Sequence, residues 1–346
     1  MRIIVIGFGV VGQSFAKLLL SRSFDLYTIY GINPKIVACL DSSGSAICSA
    51  GLDLQRLLEV KKINGTVSSY SENPLSIGST DIIDEIDAEL VIELTPTNLL
   101  DGEPALSSIT SAMRAGKHVI TVNKGPLALA TPSLLELANY NNVLLRFSGT
   151  VGGGTPILEF AKRCLNGDRI IAFKGILNGT TNFILTKMEE HLPFERALDY
   201  AQRSGYVEAN PSLDIDGYDA AAKLVIMANW IMGMKATMRD VSRTGIRMVN
   251  LSQVESAQKR GKAIKLIAEC ENGILTVGPK ETNKVDPICV NGTLNAVTFA
   301  SEHSGFQTII GKGAGGMETA TAILRDMIDI RMSSTNSASK IDLRLD

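Results

Sequence analysis

The sequence predicts an α/β chain: a doubly wound parallel sheet, then a second domain of mixed strands and helices. Three observations carry this. In the first half, short Val- and Ile-rich runs alternate with amphipathic segments, the pattern of βαβ units. A glycine-rich turn, Gly7-Phe8-Gly9-Val10-Val11-Gly12, stands between the first such run and the first helical segment. After Gly149 the texture changes: TVGGGTPILEF carries three consecutive glycines and a proline, and the order of strands and helices is no longer regular.

Taken in order, strands are expected at Arg2–Ile6, Ile36–Leu40, Leu90–Glu93, His118–Val122 and Val143–Phe147. Helices are expected between them, at Val10–Leu20, Leu52–Val60, Ala105–Ala115 and Ser133–Tyr140, with right-handed crossovers. Ser42–Asp87, rich in Ser, Gly and Asn, has the weakest periodicity. In the second domain, Ile170–Leu177 reads as a strand, NGTTNF as a turn into a helix, and Phe194–Ser204 and Tyr218–Met232 as helices. Gly273–Thr298 looks strand-like, whereas Lys259, Arg260, Lys262 and Lys265 read as the solvated face of a helix. The division is therefore 1–149 for the first domain and 150–310 for the second, with a helical segment at about 311–332 packing back onto the first and a polar tail at 333–346.

Composition narrows the classes. The 346 residues are 45% hydrophobic and 20% charged with 31 glycines, which suits a well-buried globular chain. A formal net charge of −2 recruits neither nucleic acid nor an anionic membrane. The five cysteines are odd in number and none is spaced C-x-x-C, so neither a disulfide framework nor a zinc site is expected, and a reducing cytoplasm is. The apolar N-terminus resembles a signal peptide, but Gln13, Ser14 and Lys17 interrupt it. No apolar run has the length to cross a bilayer.

The turn at residues 7–12 is G-x-G-x-x-G, placed after a strand and opening a helix, so a Rossmann-type dinucleotide site is expected. Gly7 permits the tight turn, Gly9 lets the backbone approach a pyrophosphate, and Gly12 lets helix and strand pack closely. Phe8, Val10 and Val11 complete the loop, and the helix N-terminus offers N–H groups and a positive dipole end to the phosphates. The alternative is a tight βα turn that binds no dinucleotide. Asp41, at the end of the second strand, is placed to accept from ribose hydroxyls and so favours NAD. Ser42, Ser43 and Ser45 suit a 2′-phosphate instead, and Asp41 also reads as a turn residue before Gly44; NAD and NADP both stay open.

Ligands of an open α/β sheet sit at the carboxyl ends of its strands, where Thr95 (in VIELTPTN) and Lys124 (in VITVNKGPLA) fall. The other charged concentration is DIDGYDAAAK, 214–223, set against an apolar helix. Asp219 and Lys223 are four apart on one helical face, which by itself is a salt bridge of ~0.3–0.5 kcal/mol. Asp216 suits a cap. Lys223 is different, because Ala220, Ala221, Ala222, Leu224, Val225 and Ile226 surround it. Desolvation favours its neutral amine and makes it a proton-shuttle candidate, while Asp219 favours the ammonium. Catalytic and structural readings stand level on these residues alone.

At this point the chain resembles the homoserine dehydrogenases. The blocks that carry the resemblance are IGFGVVG (6–12), TVNKGPLA (121–128), TVGGGTPI (150–157), GILNGTTNFILTKM (175–188), GYVEANPSLDIDGYDAAAKLVIMA (205–228) and GKGAGGMETA (311–320). The resemblance implies reduction of L-aspartate 4-semialdehyde to L-homoserine with NAD or NADP, on the route to threonine and methionine. It implies Lys223 as the acid/base and Glu208, Asp214 and Asp219 around the substrate's amino-acid end. It implies Lys124 against substrate and cofactor, and Gly205 and Gly315 beside the cofactor with the glycine loop. A homodimer is expected, with strands of 170–177 and 273–298 pairing across a two-fold axis.

The sequence departs from the family in two places. Many members bind a monovalent cation through a glutamate where this chain has Ser148; the carbonyls of Val151, Gly153 and Thr155 are still available, but the charge is missing. Many also carry a C-terminal regulatory domain, for which the last 16 or so residues leave no room. Competing expectations are a relative that reduces another aldehyde or ketone, and a dinucleotide sensor without turnover. The acids at 208–219 argue against the first, and Lys223 with them against the second.

Overall fold

A computed structural model describes residues 1–71, 78–205 and 211–342. The chain divides into two compact units, Met1–Thr150 with Gly315–Asp346, and Val151–Ala314.

The first unit runs β1 (Arg2–Ile6), α1 (Val10–Tyr30), β2 (Lys35–Asp41), β3 (Gly44–Ile47), α2 (Leu54–Asn64), α3 (Ser79–Glu85), β4 (Leu90–Glu93), α4 (Ala105–Arg114), β5 (His118–Thr121), α5 (Lys124–Tyr140) and β6 (Leu145–Arg146). Its strands are ordered β3-β2-β1-β4-β5-β6. All pairings are parallel except β2 with β3, an antiparallel hairpin that the sequence did not announce. In β4 all four residues are buried, an apolar Leu-Val-Ile run closed by Glu93, as expected of a parallel strand covered on both faces. The strand order reverses between β1 and β4, which makes their carboxyl ends the switch-point crevice of the sheet.

Two helices are longer than their periodicity suggested. α1 continues past Leu20 to Tyr30 because nothing breaks it before Gly31, which ends it in the left-handed conformation, and Leu26 keeps it anchored in the core. α5 begins at Lys124 rather than Ser133: Pro126 falls in its first turn, where no N–H is missed, and Pro132 is accommodated by a kink at Ala130 (φ −145°, ψ 26°).

The second unit contains α6 (Ile157–Glu159), β7 (Ile170–Ile176), α7 (Gly179–Glu189), α8 (Phe194–Arg203), α9 (Ser212–Ile215), α10 (Tyr218–Met232), β8 (Val241–Arg243), α11 (Leu251–Lys259), β9 (Lys262–Glu271), β10 (Ile274–Asn283), β11 (Leu294–Ser301) and β12 (Gly305–Lys312). Its sheet has the order β12-β11-β7-β9-β10-β8, antiparallel apart from β10 with β8. The lysine-rich stretch expected to be a solvated helix face is corrected here. α11 stops at Lys259, and Lys262–Glu271 is strand β9, at the centre of the sheet. Lys265 has a fully buried side chain that donates to Glu189 (3.0 Å) and Asn291 (2.9 Å). The apolar residues Ile264, Leu266, Ala268 and Cys270 recur with period two, and that period decides the element.

The chain then returns to the first unit as α12 (Gly316–Asp342). Ala320, Ile323, Met327 and Ile330 join Ile3, Val5, Phe15 and Ile92 in one apolar core. Polar contacts fix the same helix. Buried Asp326 accepts from the Ser148 amide (2.9 Å) and hydroxyl (2.7 Å), and Asp329 accepts from Arg146 at 2.5 Å. The segment expected as a polar tail continues as helix to Asp342, since no Gly or Pro follows Gly316. Among the described residues no helix is long and apolar enough to cross a membrane.

Candidate active site

The glycine loop shows three separate demands. Gly7 has φ +99°, and a methyl group there would sit 2.7 Å from the Leu94 carbonyl carbon and oxygen. A methyl on Gly12 would meet the Gly7 oxygen at 2.7 Å. Both are required by the protein's own packing. Gly9 is not: its φ is −79° and a methyl there would touch nothing within 4 Å. Gly9 is also the N-cap of α1, with no side-chain cap and no acid in the first turn, so open N–H groups and open space coincide. A pyrophosphate fits that cradle. Phe8 contributes backbone only, because its side chain is buried in the core. Val11 is half-buried and Val10 is exposed; a methyl on Gly316 would contact Val10 Cγ1 at 2.7 Å, so the Gly315–Gly316 turn lies against the start of α1.

Asp41 does not face an open ribose site. Its side chain is 6% exposed and four groups of the protein donate to it: Lys61 Nζ (2.6 Å), the Val67 amide (2.8 Å), the Ser43 amide (2.9 Å) and Thr66 Oγ1 (3.0 Å). A carboxylate has about four lone-pair sites, so Asp41 is saturated. Burial would raise its pKa, but the Lys61, Ser43, Val67 and Thr66 hydrogen bonds outweigh it and hold the carboxyl below the usual range. Asp41 thereby ties β2 to the end of α2 and the segment after it.

At the ends of β4 and β5, Thr95 and Lys124 are organised by neighbours that the sequence reading passed over. Glu93, fully buried, accepts from the Thr95 amide (2.7 Å), the Thr95 hydroxyl and Thr121 Oγ1 (2.8 Å). Asn123 caps α5 by accepting from the Gly125 amide at 3.0 Å, and its Nδ2 donates to the Thr95 and Pro96 carbonyls at 3.1 Å each. Lys124 is the first residue of α5 and is half-buried.

In the second unit the residues of DIDGYDAAAK take different roles. Lys223 is 8% exposed; its Nζ donates to the Leu177 carbonyl (2.7 Å) and pairs with Asp219 Oδ2 (2.7 Å). Two of its three N–H groups are so engaged. Asn178 joins the acids: its Nδ2 donates to Asp214 Oδ1 (2.6 Å) and Asp219 Oδ2 (2.9 Å), while its Oδ1 caps α7 by accepting from the Thr181 amide (2.8 Å). Burial and the Asp219 charge push the Asp214 carboxyl up. Asp216 points elsewhere, held by Arg247 through Nε (2.5 Å) and Nη2 (3.0 Å). Arg243 stacks over Tyr218 at 3.5 Å and donates to the Asp216 carbonyl, which fixes the corner entering α10.

Asn178 was legible only as a helix cap, from its place in N-G-T-T after a strand; that it bridges Asp214 and Asp219, 36 and 41 residues away, has no local signal. Glu208 lies outside the described residues. Gly205, with φ +74°, ends the segment after α8 just before them.

The proposed cation ligands are less well supplied. The Thr155 carbonyl already accepts from the Ile157 amide (2.8 Å), and its hydroxyl donates to the Lys312 carbonyl (3.1 Å). Gly153 is packed on Gly313, whose carbonyl carbon would lie 3.0 Å from an added methyl, and Val151 is buried. Ser148 spends its amide and hydroxyl on Asp326. Among the described residues no cluster of three or more His, Cys, Asp or Glu side chains is set to hold a metal.

A sheet of this order with an open pyrophosphate cradle, in a chain that also buries a lysine among aspartates, defines an oxidoreductase that uses a nicotinamide dinucleotide. The family model for homoserine dehydrogenase matches residues 156–328, and that for the homoserine dehydrogenase NAD binding domain matches residues 7–148. The chain belongs to the homoserine dehydrogenase family. It is similar to the homoserine dehydrogenase of Methanocaldococcus jannaschii, 45% identical over 96% of this chain and 99% of that one. It is also similar to an NAD(+)-dependent homoserine dehydrogenase of Pseudomonas canavaninivorans, 38% identical over 96% of this chain and 97% of the relative. Among solved structures, a putative homoserine dehydrogenase from Archaeoglobus fulgidus superposes with a TM-score of 0.89 at 38% identity, covering 96% of this chain and 99% of that one. A hyperthermophilic archaeal homoserine dehydrogenase in complex with NADPH gives 0.85 at 28% identity, covering 96% and 98%.

The glycines separate cradle from scaffold. Gly9→Ala is expected to change stability by no more than about 1 kcal/mol and to weaken cofactor binding at least about tenfold, or 1.4 kcal/mol. Gly7→Ala, forced into left-handed strain and a backbone clash, is expected to lose about 1–3 kcal/mol of stability. Urea unfolding beside a cofactor titration reads both, and a Gly9→Ala chain with unaltered affinity would remove the cradle.

Proposed function

We propose that this chain is a homoserine dehydrogenase, interconverting L-aspartate 4-semialdehyde and L-homoserine with NAD(H) or NADP(H), on the route to threonine and methionine. The observation that carries the reading is Lys223: a buried ammonium pinned by the Leu177 carbonyl and Asp219, with one N–H left over, next to a carboxylate pair. The cofactor supplies or removes the hydride. The chain's task is the proton and the charge.

Lys223 delivers a proton to the substrate's carbonyl oxygen as it becomes a hydroxyl, and takes it back in the reverse direction. Its two fixed contacts orient the third N–H and hold the group in one place. Asp214 and Asp219 share one amide donor, and burial first and the charge of Asp219 second push Asp214 up. A substrate ammonium relieves that repulsion, so the pair selects an amino-acid substrate over a neutral aldehyde. Glu208 belongs to the same reading through the resemblance. Lys124, at the start of α5, is assigned to the substrate carboxylate or the developing alkoxide.

The reading extends to a cytoplasmic homodimer. Unpaired cysteine spacing supports the compartment. For the dimer, β7 is flanked on both sides by strands and so offers no edge, contrary to the expected pairing through 170–177. β12 does, and Phe306 (80% exposed) and Ile310 (47%) stand on it.

An assay at 340 nm with L-homoserine and either NAD or NADP is expected to show turnover, and Lys223→Ala to lower kcat by about 10²–10⁴ while cofactor affinity is retained. Cofactor binding without turnover in the unaltered chain would overturn the substrate assignment. Sedimentation should return about twice the 37.1 kDa chain mass and, for Phe306→Asp with Ile310→Asp, the single mass; a monomeric parent chain would contradict the dimer.

A further inference from the structure

The mechanism leaves one buried carboxylate without a part. Glu93 ends β4, is 0% exposed, and has no ion pair among the described residues. Buried charges are normally paired with a cation, so its partners matter. They are donors: the Thr95 amide, the Thr95 hydroxyl and Thr121 Oγ1, with the Asn123 side chain also lowering its pKa. Thr121 Oγ1 already accepts from the Asn123 amide (3.0 Å), and Thr95 Oγ1 from Asn123 Nδ2 (3.3 Å), so each hydroxyl hydrogen is directed at the carboxylate. Burial pushes Glu93 above the usual carboxylate range, and these donors oppose the rise. The network offers donors to both carboxylate oxygens and, among the described residues, contains no compensating positive charge.

Its position says what the missing charge is. β1 and β4 flank the switch point, and Glu93 stands in register with Ile6, the residue before Gly7. In such sheets one half of a dinucleotide lies over each side of the switch point, with the adenosine over β1–β3. The nicotinamide half then falls to β4–β6, whose ends carry Glu93, Thr95, Asn123 and Lys124. The nicotinamide ring is cationic when oxidised and neutral when reduced. Resting on the dinucleotide-site reading, we propose that Glu93 is a positioning residue that supplies the counter-charge for the oxidised nicotinamide. It holds Thr95 and the Asn123 corner by hydrogen bonds, and it favours NAD(P)+ over NAD(P)H through its unpaired buried charge.

The test is calorimetric binding of NAD+ and NADH, and of their 2′-phosphorylated forms, to the substrate-free chain and to Glu93→Gln and Glu93→Asp, each purified with the reduced cofactor and then dialysed. Glu93→Gln should weaken the oxidised form roughly tenfold, the scale that one nearby charge imposes on an ionisation equilibrium, and alter the reduced form less than about threefold. Glu93→Asp, which keeps the charge, should keep the ratio of the two affinities near that of the parent chain. Equal losses for both forms in Glu93→Gln, or no loss, would overturn the proposal and leave a hydrogen-bonding strut. So would failure of both variants to fold with reduced cofactor present. If the parent chain binds neither form, the dinucleotide reading fails instead.

Discussion

The carbonyl of Leu177 is the contact on which the second unit's chemistry depends. It lies just past the end of β7 and accepts from two side chains, Lys223 Nζ (2.7 Å) and Asn295 Nδ2 (3.0 Å). One residue later Asn178 caps α7 and spans Asp214 and Asp219. A single strand-to-helix junction therefore fixes Lys223, the carboxylate beside it and the second carboxylate. None of the three needs a flexible loop to reach its place. Lys223 sits on a helix that is buried for most of its length, and Asp219 is one turn before it. Gly217 and Gly233, both left-handed, bound that helix and leave the apolar run between them no other register.

The same economy of charge appears in the first unit with a different outcome. Asp41 and Glu93 both end strands, β2 and β4, at the edge where ligands bind. Asp41 is neutralised by Lys61 and saturated by three further donors, so it acts as a strut. Glu93 is hydrogen-bonded but has no ion pair among the described residues. A hydrogen bond removes the desolvation penalty of a buried acid in part, whereas only a cation cancels its field. That difference, rather than position along a strand, separates a structural carboxylate from one still able to act on a ligand.

How much of this could be read beforehand follows from the range of the interactions. The glycine loop and α10 were legible because each is a local pattern, a turn motif after a strand and an apolar run between two glycines. β9 was missed because its lysines dominate a short window; the apolar period of two beneath them is the stronger signal once burial is known. α5 was truncated because Pro126 and Pro132 look like breakers unless one is in the first turn and the other at a kink. The donors to Asp41 had no local signal, because Lys61, Thr66 and Val67 lie 20 to 26 residues away. The catalytic assignments came from the family resemblance. The geometry shows Asn178 and the Leu177 carbonyl holding Asp214, Asp219 and Lys223, contacts made across the fold that no motif encodes.

The central claim is that Asn178 holds two carboxylates together as the seat of the substrate's ammonium. The pH dependence of kcat/KM for L-homoserine, in the parent chain and in Asn178→Ser, tests it most directly, since serine keeps a capping oxygen but cannot bridge both acids. Asp214 is already pushed up by burial and by Asp219, and the Asn178 hydrogen bond pulls it down. Without that amide the acid limb of the profile should move to higher pH, with little change in the alkaline limb. Superimposable profiles, or a uniform drop in rate with the limbs unmoved, would contradict the account.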